Sequence, residues 1–419
     1  MTSLRSKTLP IAQTTVKRAL SITSRLSKTH SIPASFYRGG TSKAVVFNKR
    51  DLPDDTTQHD RIFLSAIGSP DPNGRQLNGM GGGLSSVSKV LVVSASERSD
   101  ADVNYTFAQV AVKSPVVDYG SNCGNMLAAV GPFALENGLV KPRIQDGKAV
   151  VRVYNTNTKK VINSTFPVAA EDTTQPDLCG DFAIDGVAGT SARITLDFIN
   201  PGGSRTGKLL PTGHVVEQLT PLAPNGTEYQ PVRATLMDCG NPCVFVLASD
   251  INLDPTILPP QLERDSESLA LLEAIRLAAA LRMGLVKTLE DASRIKSVPK
   301  VLIMSPRSTH KVLSGDVLNA ESADLVTRCI SSGDPHRAIP ITAALCVVAA
   351  SQLEGTIAHE VMNHGDRTDP EGTVIAHASG TITVGAEVEK DAQGGWFTPK
   401  ARVFRTARKL FEGRIFWDD

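Results

Sequence analysis

The sequence has little of what membrane proteins and nucleic-acid-binding proteins require. Its uncharged apolar runs are all shorter than the roughly 20 residues that cross a bilayer. Aromatic residues make up only 5% of the 419 residues, and 44 basic residues face 43 acidic ones for a net charge of +1. Such a chain lacks the basic, aromatic-rich surface typical of nucleic-acid binding. We therefore expect neither a membrane nor a nucleic acid as partner, and the length suits two domains.

Cysteine is also scarce. The six cysteines are Cys123, Cys179, Cys239, Cys243, Cys329 and Cys346. Their irregular spacing, with no secretory apolar segment before them, does not predict a disulfide framework and favours a reducing compartment. The CxxxC spacing of Cys239 and Cys243 and the five-residue spacing of His359 and His364 do not match zinc sites, so no metal is expected.

The first 32 residues differ from the rest because they contain no acidic residue; the first carboxylate of the chain is Asp51. The basic residues of this leader are Arg5, Lys7, Lys17, Arg18, Arg25 and Lys28, among many serines and threonines. Such a composition is typical of a mitochondrial transit peptide, and a solvated tail is the alternative. The first interpretation predicts the mitochondrial matrix, the second the cytoplasm.

After the leader, short β-branched runs alternate with Gly, Pro, Asp and Asn, which predicts strands of a mixed or antiparallel sheet. The strand segments are 44–47, 89–93, 149–154, 192–198, 243–247, 301–304 and 380–388. Helical periodicity predicts helices over about 122–137, 266–283 and 338–353. The fold class is therefore α+β.

The two halves of the chain resemble each other in outline. Gly39-Gly40 precedes an apolar run in the first half, and Gly240-Asn241 precedes one about 200 residues later. A small-residue helix follows in each half, which indicates a duplication. We expect two pseudo-symmetric domains, each a curved sheet or barrel around a central helix: residues 33–204 with a return of about 402–419, and residues 205–401.

Three glycine-rich segments suit anion binding, because glycines let several backbone N–H groups approach one ligand. They are YRGGTSK at 37–43, GMGGGLSSVSK at 79–89 and GSNCGN at 120–125. A fourth segment, GGSRTGK at 202–208, fits the phosphate-loop pattern, but Leu209 replaces the magnesium-binding hydroxyl and Pro211 interrupts the helix, so nucleotide binding is not expected.

Cys123 is the residue most suggestive of catalysis. It lies at the predicted start of a helix, where the helix dipole and free N–H groups favour a thiolate. Its neighbours Asn122, Gly124 and Asn125 are polar or small, unlike the apolar surroundings of Cys346. We therefore interpret Cys123 as an active-site residue that exchanges protons.

Six segments, in order, resemble the PrpF family. They are RGGTSK at 38–43, GMGG at 79–82 followed by Ser88-Lys89, NCGNM at 122–126, PGGS at 201–204 with TGK at 206–208, GNP at 240–242, and HASG at 377–380. The family includes 3-methylitaconate isomerases, 2-methylaconitate isomerases and 4-oxalomesaconate tautomerases. The resemblance extends from about Ser35 to Trp417 and implies a diaminopimelate-epimerase-like fold with its active site between two similar domains.

The resemblance also implies site residues and a reaction without a cofactor. Lys89 and Cys123 are the implied catalytic pair, one abstracting a proton and the other returning it. The implied substrate-binding residues are Arg38, Ser42, Gly82, Gly83, Asn122, Gly124, Asn125, Asn241, Ser379 and Gly380. No metal is implied.

The resemblance predicts an isomerase that moves a proton, by an allylic shift or a cis–trans isomerisation, in an unsaturated di- or tricarboxylic acid. 2-Methylaconitate, aconitate and 3-methylitaconate are the candidate substrates. The alternatives are a keto–enol tautomerase of the oxalomesaconate type and an accessory protein of an aconitase-like dehydratase. A homodimer is a further expectation.

Overall fold

The computed structural model describes residues 29–418 except residues 121, 142 and 367. The predicted leader lies outside the described residues as far as position 28, whereas positions 29–32 are part of the first strand. None of the helices in these described ranges is long and apolar enough to cross a membrane.

Strands dominate the described part of the chain. In order they are β1 (Thr29–Gly39), β2 (Ser42–Asn48), β3 (Lys89–Ala95), β4 (Val103–Val110), β5 (Val117–Asp118), β6 (Arg143–Gln145), β7 (Lys148–Asn155), β8 (Lys160–Pro167), β9 (Ile194–Ile199), β10 (Glu217–Leu219), β11 (Val232–Asp238), β12 (Pro242–Leu247), β13 (Lys300–Pro306), β14 (His310–Lys311), β15 (Val317–Leu318), β16 (Leu325–Ser331), β17 (Asp334–Pro335), β18 (Thr373–His377), β19 (Gly380–Lys390), β20 (Trp396–Arg405) and β21 (Ala407–Asp418). All except β14 and β15 belong to one continuous sheet.

The α-helices connect these strands. They are α1 (His59–Ile67), α2 (Leu127–Glu136), α3 (Pro259–Leu262), α4 (Ser266–Arg282), α5 (Leu289–Arg294), α6 (Ile341–Ser351) and α7 (Ile357–Val361). The predicted helices 266–283 and 338–353 correspond to α4 and α6. The predicted helix 122–137 begins later than expected, at Leu127, because residues 124–126 form a turn.

The strand pairings occur twice in the same succession. In the first half β1–β2 is antiparallel, β2–β3 parallel, β3–β4 antiparallel, β4–β7 parallel, and β7–β8–β9 antiparallel. In the second half β11, β12, β13, β16, β18, β19 and β20 repeat that order of directions. Each parallel pair requires a crossover, and α1 and α2 supply the crossovers in the first half as α4, α5 and α6 do in the second. The duplication inferred from the sequence is therefore present in the fold.

The two halves share strands at their junction. β20 pairs with β19 of the second half and with β9 of the first, and β21 then pairs along β1. In the corresponding place of the second half, β10 pairs with β11. The sheet is therefore continuous from one half to the other, and the domain boundary at residues 204 and 205 stays a prediction.

Each half wraps its sheet around one apolar helix. All residues of α2 except Glu136 and all residues of α6 except Thr342 are buried. Helices that are apolar on all sides are stable only inside a protein, and both lie in one continuous core. On its outer face, the sheet is covered by α1 in the first half and by α4 in the second half.

Candidate active site

Two tight turns place the glycine-rich segments against the starts of the central helices. Gly40, between β1 and β2, has a φ of 51°, and Gly240, between β11 and β12, has a φ of 70°. Residues with a side chain adopt such positive φ values only with strain, whereas glycine does not. A Cβ on Gly40 would also lie 2.2 Å from Oδ1 of Asn125. The Asn125 amide donates to Thr41 Oγ1 at 3.1 Å, and in the second half the Asn241 amide donates to Thr342 Oγ1 at 3.4 Å.

The starts of α2 and α6 touch where the two halves meet. A Cβ on Gly124 would lie 2.9 Å from the Cβ of Ile341. Only glycine fits at this distance without displacing the helix of the other half. The predicted site residue Gly124 therefore has a packing role in addition to any contact with a ligand.

Cys123 lies just before the turn of residues 124–126 that precedes α2, and not in the first helical turn as expected. Its carbonyl accepts from the N–H of Leu127 at 3.4 Å, and its thiol donates to Ser42 Oγ at 3.7 Å. The thiol is partly exposed, whereas Cys239, Cys329 and Cys346 are buried. Burial raises the pKa of Cys329 to about 12 and raises the pKa values of Cys239 and Cys346 as well. Cys243 is buried as well, and Cys179 is exposed. The proton-exchanging role of Cys123 stays a prediction.

Lys89 begins β3 on the face of the sheet that covers α2. Its register partner on β2 is Ala44, and alternation along the strands puts Ser42, Ala44 and Lys89 on that same inner face. The amine donates to Gln109 Oε1 at 2.6 Å and lies 5.0 Å from the Phe107 ring centre. It makes no ion pair within the described ranges, so its charge is available to a ligand.

Lys300 occupies the corresponding place in the second half. It begins β13 beside Cys243, as Lys89 begins β3 beside Ala44. Its amine donates to Ser331 Oγ at 2.7 Å. Burial and the charge of Lys300 lower the pKa of His336. Sequence reasoning missed Lys300, although the repeat itself was the signal that locates it.

A cavity of about 620 Å³ lies between the halves, lined by residues of both. Of the predicted site residues, Asn122 and Asn241 line it. The basic side chains on its wall are Lys160, Arg205, Lys300 and His336, and none of its lining residues is acidic. A wall of this composition attracts polyanionic ligands.

The segment that resembles a phosphate loop binds a carboxylate of the protein itself. The buried Asp238 accepts from the backbone N–H groups of Arg205 at 2.7 Å and Thr206 at 2.8 Å, and from both adjacent hydroxyls of Ser204 and Thr206. This arrangement fixes the backbone from which Arg205 reaches the cavity. Sequence reasoning did not identify Asp238, which no motif marks.

Two arginines lie close to the turn that carries Cys123. Arg38, a predicted site residue, donates to Thr406 Oγ1 at 2.9 Å and to Ser191 Oγ at 3.3 Å. Burial and the neighbouring Arg408 lower its pKa. Arg405, which sequence reasoning missed, is 9% exposed and donates to Asn125 Oδ1 at 3.0 Å.

Lys89, Cys123 and the remaining predicted residues do not line the cavity. Gly83, with a φ of 73°, donates to Gln76 Oε1 at 2.8 Å, which also accepts from Ser88 next to Lys89. Gly82 lies in the same loop. Ser379 donates to the Arg337 carbonyl, and a Cβ on Gly380 would meet Asp185. These contacts shape the loops around the site, and a direct contact with substrate stays a prediction for all four.

The fold of this chain is that of a known class of enzymes. The fold matches the crystal structure of a methylitaconate-delta-isomerase with a TM-score of 0.80 and 34% identity, covering 93% of this chain and 96% of that one. A hydroxyproline epimerase from Agrobacterium vitis, 14% identical with a TM-score of 0.50 over 93% of each chain, shares the fold alone.

Residues 29–418 match the model of the PrpF protein, and the chain belongs to that family. A 2-methyl-aconitate isomerase from Cupriavidus necator is 39% identical over 92% of this chain and 96% of its own. A 3-methylitaconate isomerase from Eubacterium barkeri is 35% identical over 92% and 97%, and a 4-oxalomesaconate tautomerase from Pseudomonas putida is 37% identical over 92% and 95%. The family resemblance and the expected α+β fold are confirmed, and the chain is an isomerase.

Proposed function

We propose that this protein shifts a double bond in an unsaturated tricarboxylic acid by moving one proton between two carbons. The observation that carries this proposal is the acid-free cavity with basic side chains between the two halves, which is lined by Asn122, the residue before Cys123. Its three basic side chains, Lys160, Arg205 and Lys300, match the number of carboxylates on 2-methylaconitate or aconitate. 2-Methylaconitate, after which the Cupriavidus necator relative is named, is an acid of this kind.

Lys89 and Cys123 are the proposed proton carriers. One of them removes a proton from a carbon conjugated to a carboxylate, and the C–H electron pair spreads over the double bond onto the carboxylate oxygens. The other donates a proton to the allylic carbon, the double bond moves by one position, and no net oxidation occurs. Such carbon acids are weak, so the cations and turn N–H groups have to stabilise the dienolate.

Proton NMR in D2O tests the reaction. The protein is incubated with cis-aconitate, trans-aconitate, 2-methylaconitate, 3-methylitaconate and oxalomesaconate in separate samples. We expect 2-methylaconitate or an isomer of aconitate to convert with deuterium at the transferred carbon, and the Lys89→Ala variant to lose this conversion. The matched control is Lys400→Ala, because Lys400 forms a surface ion pair with Glu387. A folded protein that exchanges no deuterium into any of the acids overturns the proposal and favours an accessory role beside an aconitase-like dehydratase.

A second candidate is keto–enol tautomerisation of an oxalomesaconate-type acid, favoured by the Pseudomonas putida relative. It uses the same two proton carriers, so the NMR panel distinguishes it by substrate. Conversion of oxalomesaconate alone selects this alternative.

We also propose that the leader, residues 1–32, directs the protein to the mitochondrial matrix. The absence of acidic residues from this segment supports the proposal. A fusion of residues 1–32 to a fluorescent protein should enter mitochondria, and a version with Arg5, Arg18 and Arg25 changed to Glu should not. Cytosolic fluorescence of the unchanged fusion contradicts the proposal.

A further inference from the structure

Asn155, the last residue of β7, is fully buried and joins two segments of the cavity wall. Its side-chain oxygen Oδ1 accepts from the backbone N–H groups of Asn157 at 2.9 Å and Thr158 at 3.1 Å. Its side-chain nitrogen Nδ2 donates to Asn122 Oδ1 at 2.8 Å. Asn122, Asn157 and Thr158 all line the cavity. One buried amide therefore connects the turn between β7 and β8 to the residue before Cys123.

The two backbone N–H groups fix which way the Asn155 amide faces. Both are donors, so the side-chain oxygen has to meet them, and the side-chain nitrogen is left on the side of Asn122. This nitrogen can only donate, so the Asn122 amide has to face it with its own oxygen. The two side-chain N–H groups of Asn122 then face away from Asn155, and they have no acceptor in the described part of the chain. Because Asn122 lines the cavity, these donors are available to a ligand there.

The turn that fixes Asn155 is itself held by the sheet. Asn157 Oδ1 accepts from the N–H of Phe107 at 2.8 Å, and Asn157 Nδ2 donates to the carbonyls of Phe107 at 2.9 Å and Tyr119 at 2.8 Å. Phe107 belongs to β4, and Tyr119 precedes Gly120, which also lines the cavity. The position of the Asn155 amide is therefore set by strands of the first half and does not depend on a bound ligand.

We propose that Asn155 is a positioning residue, which keeps the side-chain N–H groups of Asn122 directed into the cavity to bind a carboxylate of the substrate. An Asn122 amide turned the other way would present its oxygen to the carboxylate, and two acceptors repel each other. Hydrogen bonds to an ionised group are stronger than those between neutral groups, so the orientation of this amide should affect the affinity for polycarboxylates. This inference rests on the proposed function for the identity of the ligand as a tricarboxylate. The effect on affinity can be measured without turnover.

The experiment measures the affinity of the full chain for tricarballylate by isothermal titration calorimetry. This tricarboxylate is saturated, so it has no double bond to shift. Asn155→Ser keeps a hydroxyl acceptor for the N–H of Asn157 but is too short to reach Asn122, and releasing the Asn122 amide should raise the Kd about threefold or more. Asn155→Asp, the second variant, retains the acceptor but replaces the donor to Asn122 with another acceptor. The Asn122 amide should then turn its oxygen to the cavity and raise the Kd about tenfold or more.

A double-mutant cycle separates this role from a general effect on the fold. The amide that Asn155 orients is absent from an Asn122→Ala background, so Asn155→Ser should change the Kd there by less than about twofold. Asn155→Ser is used for the cycle because it adds no charge.

Asn137→Ser is the matched control, because the Asn137 amide donates to the Phe133 carbonyl at the other end of α2. Its Kd should equal that of the unchanged protein. An unchanged Kd in folded Asn155→Ser and Asn155→Asp overturns the inference, and so does an equal rise in Asn137→Ser or an equal effect of Asn155→Ser with and without the Asn122 amide.

The binding data and the NMR panel test the two proposals separately. Weaker binding by the Asn155 variants of a protein that converts none of the five acids supports the role of Asn155 and contradicts the proposed function. Conversion of an acid together with unchanged affinity in both variants has the opposite meaning. If the unchanged protein binds no tricarballylate, the inference is wrong whatever the NMR panel shows.

Discussion

Lys89 and Lys300 occupy the same position in the two repeats. Each begins a strand that runs parallel to the strand after the glycine turn, beside Ala44 in one half and Cys243 in the other. Each amine donates to a neutral side chain on the next strand, Gln109 or Ser331. Only the first repeat has a partly exposed cysteine at the corresponding helix start, so the duplicated lysines have different chemistry available to them.

This difference predicts distinct kinetic effects for the two lysines. Lys89→Ala should lower kcat about 100-fold or more, because a proton carrier is lost. Lys300→Ala should mainly raise KM, by about tenfold or more, since a charged hydrogen bond to substrate contributes roughly 1.5–3 kcal/mol. Steady-state kinetics on the substrate identified by NMR measure both. Equal losses of kcat in the two variants would contradict the assignment of binding to Lys300.

The contact between Gly124 and Ile341 predicts a stability effect at the junction. In Gly124→Ala the new methyl group would lie 2.9 Å from the Ile341 Cβ. Overpacking of this kind costs about 1–3 kcal/mol of unfolding free energy. Urea denaturation should detect the loss, and Gly413→Ala, whose methyl group meets nothing closer than 3.9 Å, should lose much less. Equal stability of the two variants would show that the helix starts can separate.

Because Asp238 holds the backbone of Arg205, we predict that this carboxylate affects ligand binding in the cavity. Asp238→Asn removes an acceptor for the N–H groups of Arg205 and Thr206. We expect about 1–3 kcal/mol less stability and a higher KM, because Arg205 loses its fixed position. Asp391→Asn is the control, since Asp391 accepts from the N–H groups of Gln393 and Gly395 in an exposed turn. An unchanged KM in Asp238→Asn would show that this loop does not affect substrate binding.

Local patterns predicted those parts of the fold that depend on neighbouring residues. Apolar runs located β2 and β3, and periodicity located α4 and α6. The start of α2 was misplaced because residues 124–126 are held in a turn by partners far along the chain, among them Arg405, 280 residues from Asn125. Lys300, Arg405 and Asp238 belong to no glycine-rich motif. Their importance follows from strand register and burial, which only the folded chain defines.

The buried histidines predict how stability depends on pH. Burial, Arg405, Arg328 and His336 lower the pKa of His377 to about 3, well below the ordinary 6.5 that applies after unfolding. Between these values the unfolded chain binds the additional proton, so the free energy of unfolding falls as the pH decreases from about 6.5 towards 3. The slope per histidine is at most about 1.4 kcal/mol per pH unit. Burial also lowers the pKa values of His310 and His336, which act in the same direction.

Urea unfolding at pH 7.5, 6.0 and 5.0 measures this slope. Replacing His377 with Gln removes one titrating group, so the loss of stability between pH 6.0 and 5.0 should be smaller than in the unchanged protein. His214→Gln is the control, because His214 is exposed and its removal should leave the slope unaltered. If His377→Gln retained the full slope, the imidazole would already be neutralised in the unfolded chain or accessible to protons in the folded one.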